Sequence, residues 1–314
     1  MKSKMKGVIL AAGKGSRLYP ATHIIPKPLL PLANRPTLHY AFDRLKEIGV
    51  TDICLVVGEN ESLMKAALGD GSEFGIHLSY VRQTEPKGLA HAVGFAEEFV
   101  AGDPFVLYLG DAIYSEGFAE HAAKFTESGV ANLNIVKPVP DPSRFGVANV
   151  EGDRIVKLVE KPKDPESNLA MAGLYFFGPE IWSVLPDLKP SGRGEYEITD
   201  AIQMLIDRGH TVLAGVYEGE WFDSGTLDSF LEVNAFLIGD KNVIAPDAKV
   251  MGSVGSKVVI GAGAEVSCDS IEDSVILAGA KVNVKGAIKH AVLGGTVESL
   301  VPVENVIIHG DFKG

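Results

Sequence analysis

The sequence has little cysteine and no long apolar run. Its 314 residues include two cysteines, Cys54 and Cys268, and no CxxC pair, which argues against both a disulfide framework and a cysteine metal site. No uncharged apolar run approaches the ~18 residues of a membrane span, and the run from Val8 to Ala12 is too short for the core of a signal peptide. These absences predict a protein in the reducing environment of the cytoplasm.

Positive charge is also scarce. Lysine and arginine number 29 against 41 acidic residues, a net charge of −12, which argues against a general nucleic-acid or membrane-surface binder. The deficit is uneven, because no acidic residue precedes Asp43. The basic residues of this stretch are Lys2, Lys4, Lys6, Lys14, Arg17, Lys27 and Arg35. They predict a local anion site near the N-terminus, although a merely solvated basic segment is an equal alternative for Lys2 to Lys6.

The composition is otherwise that of a folded globular chain. Hydrophobic residues make up 46% and charged residues 22%, which excludes the disordered and low-complexity classes. At roughly 150 residues per domain, the length predicts about two domains.

The first part of the chain, up to Gly239, alternates short apolar runs with helical periodicity. This alternation predicts an α/β fold with a mostly parallel sheet covered by helices. The predicted strands are Val8 to Leu10, Ile53 to Val57 and Phe105 to Leu109. The predicted helices contain Leu38 to Ile48, Ile198 to Ile206 and Phe230 to Leu237.

After Gly239 the composition changes, because only Phe312 remains of the 24 aromatic residues. We therefore predict two domains, residues 1–239 and 240–314. The second carries a repeat with a step of 16 residues, seen at Ile244, Ile260, Ile276, Val292 and Ile308, at Ala248, Ala264 and Ala280, and at Val250, Val266 and Val282. Such steps resemble the hexapeptide repeats of left-handed parallel β-helices. A small antiparallel sandwich is the alternative.

A glycine-rich turn follows the first predicted strand, at Gly13 to Leu18. It departs from a dinucleotide-binding fingerprint because Leu18 stands at the third glycine position, and from a P-loop because Val8 stands where the first glycine belongs. The remaining possibility is a turn whose backbone N–H groups approach phosphates, with Lys14, Arg17 and Lys27 nearby. A plain turn is the alternative.

An ordered series of motifs resembles the sugar-1-phosphate nucleotidyltransferases. The motifs are Leu10-Ala-Ala-Gly-Lys-Gly-Ser-Arg-Leu-Tyr-Pro20, Pro26-Lys-Pro-Leu-Leu-Pro31, Gln83-Thr-Glu-Pro-Lys-Gly-Leu-Ala90, Leu109-Gly-Asp111, Arg144-Phe-Gly146, Glu160-Lys-Pro162, Gly173-Leu-Tyr175, Arg193-Gly-Glu-Tyr-Glu-Ile-Thr-Asp200 and Trp221-Phe-Asp-Ser-Gly225. The closest resemblance is to glucose-1-phosphate thymidylyltransferases of the long form. It implies a Rossmann-like nucleotidyltransferase sheet with helices on both faces, followed by a short left-handed β-helix.

The resemblance also implies a reaction, in which a sugar-1-phosphate oxygen attacks the α-phosphorus of a nucleoside triphosphate and displaces pyrophosphate. With dTTP and glucose-1-phosphate the product is dTDP-glucose, and Mg²⁺ is the implied cofactor. The nucleophile is already anionic at pH 7, because the second pKa of a phosphate monoester is ~6, so no general base is required. The chain must instead neutralise two polyanions and stabilise the leaving pyrophosphate.

The resemblance assigns roles to individual residues. The implied catalytic residues are Arg17, Lys27 and Lys161, and the implied metal ligands are Asp111 and Asp223. The implied nucleotide-binding residues are Leu10, Ala11, Gly13, Gln83 and Gly88, and the implied sugar-binding residues are Gly146, Glu160, Met171, Tyr175 and Arg193. The sequence departs from the family at Ala112, where an asparagine is common, which puts any polar contact from that position in doubt.

Other functions remain open on the sequence alone. A glutamine amide at position 83 suits thymine and uracil alike, so a UTP-dependent enzyme or one acting on another sugar-1-phosphate is an alternative. A non-catalytic nucleotide-binding regulator is an alternative from another class. The β-helix could add acetyltransferase activity with His290 or His309 as base, although a role in joining subunits into a homo-oligomer is the preferred interpretation.

Overall fold

The computed structural model describes residues 4–314, so the predicted basic residue Lys2 lies outside the described part. Within that part, no helix has both the length and the apolar character to cross a bilayer. The chain forms two compact units. Of the described residues, the first unit comprises 4–13 and Ala41–Trp221, and the second comprises Lys14–Tyr40 and Phe222–Gly314.

The strands and helices are as follows, in chain order. The strands are β1 (Lys6–Ala11), β2 (Pro31–Leu32), β3 (Arg35–Pro36), β4 (Asp52–Val57), β5 (His77–Arg82), β6 (Phe105–Leu109), β7 (Ala112–Tyr114), β8 (Asn132–Pro138), β9 (Gly146–Glu151), β10 (Arg154–Glu160), β11 (Leu169–Phe177), β12 (Val212–Val216), β13 (Trp221–Asp223), β14 (Val243–Ile244), β15 (Lys249–Val254), β16 (Val258–Ile260), β17 (Glu265–Ile276), β18 (Lys281–Val284), β19 (Ala287–Ser299) and β20 (Val303–Lys313). The helices are α1 (Ala21–Ile24), α2 (Thr37–Glu47), α3 (Glu61–Leu68), α4 (Leu89–Gly94), α5 (Glu97–Val100), α6 (Ala119–Ser128), α7 (Ile181–Val184), α8 (Ile198–Asp207) and α9 (Leu227–Ile238).

The first unit is built on a nine-stranded sheet with the order β5-β4-β1-β6-β11-β8-β12-β10-β9. The strands β5, β4, β1 and β6 are parallel. The apolar runs of β1, β4 and β6 are buried on both faces, as expected for parallel strands, whereas β5 is a partly exposed edge strand. The rest of the sheet is mixed, since β11 is antiparallel to both neighbours and β9 and β10 form a hairpin. The prediction of a mostly parallel sheet therefore needs this correction, because the short turn between β9 and β10 can join only antiparallel strands.

Helices cover both faces of this sheet. On one face, Phe176 of β11 stacks on Phe125 of α6 at 5.6 Å between ring centroids. On the other face, Phe177 belongs to a buried cluster that includes Ala201 and Ile202 of α8. Phe176 and Phe177, which are successive residues of β11, therefore pack on opposite faces of the sheet, as the two-residue period of a strand requires.

The predicted helices agree with the observed ones to within three residues at each end. The predicted helix with Leu38 to Ile48 is α2, and Gly49, which follows it, has a φ of 76°, which suits glycine after a helix. The last helix, α9, begins at a capping box between Thr226 and Ser229.

In the second unit the repeat is a stack of parallel coils. Val250 pairs with Val266, and Val266 with Val282, each step being the predicted 16 residues. Ala264 and Ala280 are fully buried in the same core. Parallel pairing excludes the antiparallel sandwich and fits a β-helix. The left-handedness of the coil stays a prediction.

One predicted position of the repeat is wrong. Ile276 pairs with Leu293 and not with Val292, and Leu293 then pairs with Ile308. One residue gained near Gly286 moves the partner of Ile276 from Val292 to Leu293. The next corner, Gly294 and Gly295, has two residues where the coil below has four, and this shortens the step to 15 residues. Gly295 permits this tight corner, since a Cβ there would lie 2.6 Å from backbone atoms of the next coil.

The N-terminal segment of the second unit is bonded to the repeat. The Asn34 side chain donates from Nδ2 to the carbonyl oxygen of Ile260 at 2.8 Å. The backbone N–H of Ala33 donates to Oδ1 of Asn234 in α9, also at 2.8 Å. Residues 14–40 and the coils therefore belong to one compact unit. The division of the chain into domains at residue 239 stays a prediction.

Candidate active site

In the first unit, the end of β1 leads into Gly13, the first residue of the glycine-rich turn, and the end of β6 leads into the first predicted metal ligand. Leu10 and Ala11 are the last residues of β1, and Gly13 follows two residues later. The N–H of Gly110 donates to the carbonyl of Leu10 at 3.0 Å. Asp111 comes directly after this residue. The carboxyl ends of neighbouring parallel strands are the usual place for a ligand in such sheets.

The predicted base-binding residue Gln83 directly follows β5 and is 9% exposed. Its amide nitrogen Nε2 lies 3.1 Å from Nδ1 of His91 in α4 and 3.4 Å from the carbonyl oxygen of Gly88. Within residues 4–314, the amide oxygen Oε1 accepts no hydrogen bond. The acceptor of this amide is therefore available to a ligand.

Gly88 is held in a conformation that requires glycine. Its φ is 107°, and a Cβ there would lie 2.5 Å from the carbonyl oxygen of Tyr196. The flanking backbone is bonded to the same residue, through Tyr196 N–H to Lys87 and Ala90 N–H to Tyr196. The loop next to Gln83 is thus fixed and closely packed.

Three of the predicted sugar-binding residues, Gly146, Glu160 and Met171, lie next to one another in the first unit. A Cβ on Gly146 would lie 2.8 Å from Sδ of Met171, 3.0 Å from Cγ2 of Thr199 and 3.2 Å from Oε2 of Glu160. Gly146 begins β9, and the other residues come from β11, α8 and β10. A side chain at position 146 would collide with these neighbours, so their close packing requires a glycine.

Glu160 is the most heavily bonded of these residues. Thr199 donates from Oγ1 to Oε2 of Glu160 at 2.5 Å, and Arg193 donates to Oε1 at 3.2 Å. The ammonium of Lys161 lies 3.4 Å from the same Oε1. Burial, followed by the charge of Glu160, raises the pKa of the predicted residue Tyr175. The arrangement holds a carboxylate that can accept from hydroxyl groups beside two cations.

Two further carboxyl groups support this cluster. Glu197 is 4% exposed, and burial raises its pKa. It accepts from Ser191 at 2.9 Å and lies 3.8 Å from Nη1 of Arg193. Burial and the neighbouring Glu160 raise the pKa of Asp200. Glu197 thus anchors the guanidinium that reaches Glu160.

In the second unit, the predicted phosphate-binding cations lie against Asp223. The ammonium of Lys27 is 3.8 Å from Oδ1 of Asp223, and Lys27 is only 8% exposed. A Cβ on Gly225 would lie 2.6 Å from Nη2 of Arg17 and 2.9 Å from Oδ1 of Asp223. The structure therefore brings Arg17, Lys27 and Asp223 together around a glycine.

Local packing fixes the position of Lys27. Gly15 has a φ of 63°, and a Cβ there would lie 3.0 Å from Cβ of Lys27 and from Cγ2 of Thr22. Thr22 donates from Oγ1 to the carbonyl of Gly15 at 2.8 Å. The glycine-rich turn thus packs directly on the lysine.

The histidines of the repeat do not favour an acetyltransferase site. Both ring nitrogens of His290 are engaged, Nδ1 with Asp273 at 2.6 Å and Nε2 with Asp228 at 2.9 Å. A general base needs a nitrogen that can reach the substrate. Burial lowers the pKa of His309, whose Nδ1 is buried without a hydrogen bond from residues 4–314.

Three contributing residues are absent from the sequence-based assignment, namely His91, Thr199 and Glu197. Thr199 and Glu197 lie inside the motif that ends at Asp200, and the start of α8 at Ile198 was a usable signal. His91 gives no signal in the sequence, because its contact with Gln83 depends on side-chain packing.

Comparisons with known proteins identify the family of the chain. A family model described as Nucleotidyl transferase matches residues 6–239. The nucleotidyltransferase Agl11 of low-salt glycan biosynthesis from Haloferax volcanii is 39% identical, over 98% of this chain and 98% of the relative. A glucose-1-phosphate thymidylyltransferase from Streptomyces antibioticus is 40% identical, over 87% of this chain and 78% of the relative.

A solved structure is similar as well. The crystal structure of a protein assigned as a glucose-1-phosphate thymidylyltransferase from Bacillus anthracis, in complex with sucrose, has a TM-score of 0.70 and 39% identity, and covers 74% of this chain and 95% of that chain. Residues 6–239, which the family model matches, contain every residue placed above in the base, sugar and cation clusters. This chain is an enzyme of the nucleotidyl transferase family.

Proposed function

We propose that the protein transfers a thymidylyl group from dTTP to glucose-1-phosphate, giving dTDP-glucose and pyrophosphate. The observation that carries the proposal is the cluster of Arg17 and the buried Lys27 around Asp223. A cation with so little exposure is costly unless an anion pairs with it, and a triphosphate offers more negative charge than one carboxylate. The names of the Streptomyces and Bacillus relatives support the choice of substrates.

The chain's own residues meet the needs of this reaction. Arg17 and Lys27 bind the triphosphate and stabilise the charge that develops on the leaving pyrophosphate. Lys161 binds the phosphate of the incoming sugar, which attacks as an anion and needs no base. Glu160 accepts hydrogen bonds from sugar hydroxyls, with Thr199 and Arg193 fixing its two oxygens.

Asp111 and Asp223 are the residues that would hold Mg²⁺. The described residues contain no group of three or more acidic, histidine or cysteine side chains that could bind a metal, and two carboxylates completed by substrate phosphates are the set that Mg²⁺ prefers. A bound Mg²⁺ would neutralise phosphate charge. The pairing of the two aspartates is part of the proposal.

The free acceptor on Gln83 favours bases with a ring N–H, and this property is common to thymine and uracil. A UTP-dependent enzyme is therefore the second candidate. Pyrophosphate release, measured with dTTP, UTP, CTP, GTP and ATP crossed with several sugar-1-phosphates, tests both. The highest kcat/KM is expected for dTTP with glucose-1-phosphate. Best activity with GTP would overturn the proposal, and binding without release would leave a non-catalytic regulator.

Lys161→Met is expected to raise KM for glucose-1-phosphate by about tenfold to hundredfold, because a hydrogen bond to a charged group contributes about 1.5–3 kcal/mol. KM for dTTP should change less. Steady-state kinetics with each substrate varied in turn measures the difference. Lys163→Met, which changes an exposed lysine two residues away, is the control. Equal changes in both KM values would remove Lys161 from the sugar side.

We further propose that the last coil joins subunits into a homo-oligomer. The strand β20 ends the order of the second unit's sheet. Leu300 and Val301, just before it, are 71% and 59% exposed, and Phe312 is 38% exposed. An edge strand beside exposed apolar side chains is a natural surface for a second copy.

Leu300→Asp is therefore expected to lower the mass of the assembly, because a buried charge at an apolar interface is costly. Light scattering after size-exclusion chromatography measures the mass. Met251→Asp is the control, since Met251 is 67% exposed in β15. The same mass in the Leu300 variant and the wild type would remove this surface from the interface.

A further inference from the structure

A histidine that no motif singles out contacts the proposed base-reading glutamine. His91 lies in α4, and its Nδ1 is 3.1 Å from Nε2 of Gln83. An amide nitrogen can only donate, so Nδ1 of His91 must accept and the ring proton must reside on Nε2. The contact thus defines both the tautomer of His91 and the orientation of the amide.

A second contact gives the same orientation independently. Nε2 of Gln83 also lies 3.4 Å from the carbonyl oxygen of Gly88, which can only accept. The two hydrogens of the amide nitrogen are therefore both directed at the protein. The remaining atom, Oε1, is directed at the ligand as an acceptor.

We infer that His91 is a positioning residue that sets base specificity by holding the Gln83 amide with Oε1 outward, so that the site accepts a ring N–H and rejects a ring nitrogen acceptor. Thymine and uracil present such an N–H at N3, whereas cytosine presents an unprotonated nitrogen there. The inference rests on the proposed function, in which Gln83 faces the base.

The surroundings of His91 keep the ring in place and neutral. Its ring stacks with Tyr196 at 6.2 Å and meets Phe95 edge-on at 5.0 Å. Burial, followed by the charge of Lys87, lowers the pKa of His91, while Glu85 opposes this effect. Lys87 and Glu85 form an ion pair with each other. At pH 7 the ring is therefore uncharged and Nδ1 can accept.

Protonation of His91 at Nδ1 would remove the acceptor that holds the Gln83 amide. In the observed amide orientation, a proton on Nδ1 of His91 would be directed at the N–H group of Gln83 Nε2. If the amide turned over, Oε1 of Gln83 would instead face the carbonyl oxygen of Gly88, and two acceptors would oppose each other. Neither orientation satisfies both neighbours. Selectivity for a uracil-type base over cytosine is therefore present where His91 is neutral and is lost as the pH falls through its pKa, which lies below the ordinary 6.5.

The test compares UTP with CTP, which differ only at the edge that Gln83 would read. The ratio of their kcat/KM values with glucose-1-phosphate, and the ratio of their Kd values by calorimetry without sugar phosphate, are measured for wild type, His91→Leu, His91→Phe and His91→Asn. The first two variants remove the acceptor, and His91→Phe keeps the ring stacking if His91→Leu does not fold. Asparagine restores an acceptor that does not titrate. His77→Leu, at the exposed start of β5, is the control.

Both variants without the acceptor are expected to lower the UTP preference by about fivefold to tenfold, the value of one hydrogen bond of about 1 kcal/mol. His91→Asn should stay within about twofold of wild type. As the pH is lowered from about 7.5 through the pKa of His91, which lies below 6.5, the wild-type preference should fall while that of His91→Asn stays constant. Titration of the sugar phosphate cancels in the ratio.

The outcomes separate the two levels of the proposal. An unchanged UTP preference in His91→Leu and His91→Phe, in an enzyme that prefers UTP, overturns the role of His91 and leaves the proposed function intact. A wild-type protein without UTP preference in either binding or turnover overturns both. A preference in binding without any turnover supports the role of His91 while rejecting the proposed reaction.

Discussion

Asp223→Asn is expected to lower kcat by at least about a hundredfold while the protein stays folded. In the proposed site, the Asp223 carboxylate holds a metal ion that stabilises the negative charge developing in the transition state. Oδ1 of Asp223 lies 3.8 Å from the ammonium of Lys27, and the guanidinium of Arg17 lies beside Gly225 together with Asp223. An amide keeps the shape but supplies no negative charge for a metal ion beside these cations. Asp111→Asn should have a similar effect if both carboxylates hold the ion.

Pyrophosphate release at saturating substrates, measured over a range of Mg²⁺ concentrations, checks this expectation. Asp247→Asn, an exposed aspartate of the repeat, should match wild type. Thermal unfolding of each variant separates lost chemistry from lost structure. Normal turnover in Asp223→Asn at all Mg²⁺ concentrations would remove Asp223 from the metal site.

The sequence predicts the parts of the fold that depend on local patterns. The runs at Val8 to Leu10 and Ile53 to Val57 are strands because β-branched residues flanked by helical periodicity leave few alternatives. The 16-residue step gives the correct pairing of Val266 with Val282. It gives the wrong partner for Ile276, because one residue is gained near Gly286 and moves the pairing from Val292 to Leu293. A strict 16-residue period does not predict such an insertion.

The site is predictable to the extent that its residues stand in motifs. Of the residues that resemble a hexose pocket, Gly146, Met171 and Glu160 are neighbours, since a Cβ on Gly146 would lie within 3.2 Å of the other two. The hydrogen bond from Thr199 to Glu160 spans 39 residues and depends on how α8 packs against β10. The contact of His91 with Gln83 depends in the same way on side-chain rotamers. Such contacts are set by tertiary packing, which one sequence does not reveal.

Lys27→Met is expected to lower kcat/KM for dTTP by about a hundredfold or more, since a charge-assisted contact to phosphate in a site with little water is worth about twice a neutral one. Lys27 is 8% exposed, so solvent screens its charge only weakly. Methionine has nearly the same length and fills the same space against Gly15. The variant therefore removes the charge and leaves the packing.

Stability should respond much less than activity. Asp223 retains Arg17 beside Gly225, and 35% of its side chain is exposed, so loss of Lys27 leaves no isolated buried anion. The control is Lys249→Met, because Lys249 also pairs with a carboxylate, that of Glu265 at 2.8 Å, but is 76% exposed. An exposed pair contributes at most about 1 kcal/mol, so this variant should keep both stability and activity. Initial rates over a range of dTTP concentrations, together with thermal unfolding, test both statements. If Lys27→Met unfolds but its remaining folded fraction has normal kcat/KM, Lys27 supports the fold of the turn and does not bind the triphosphate.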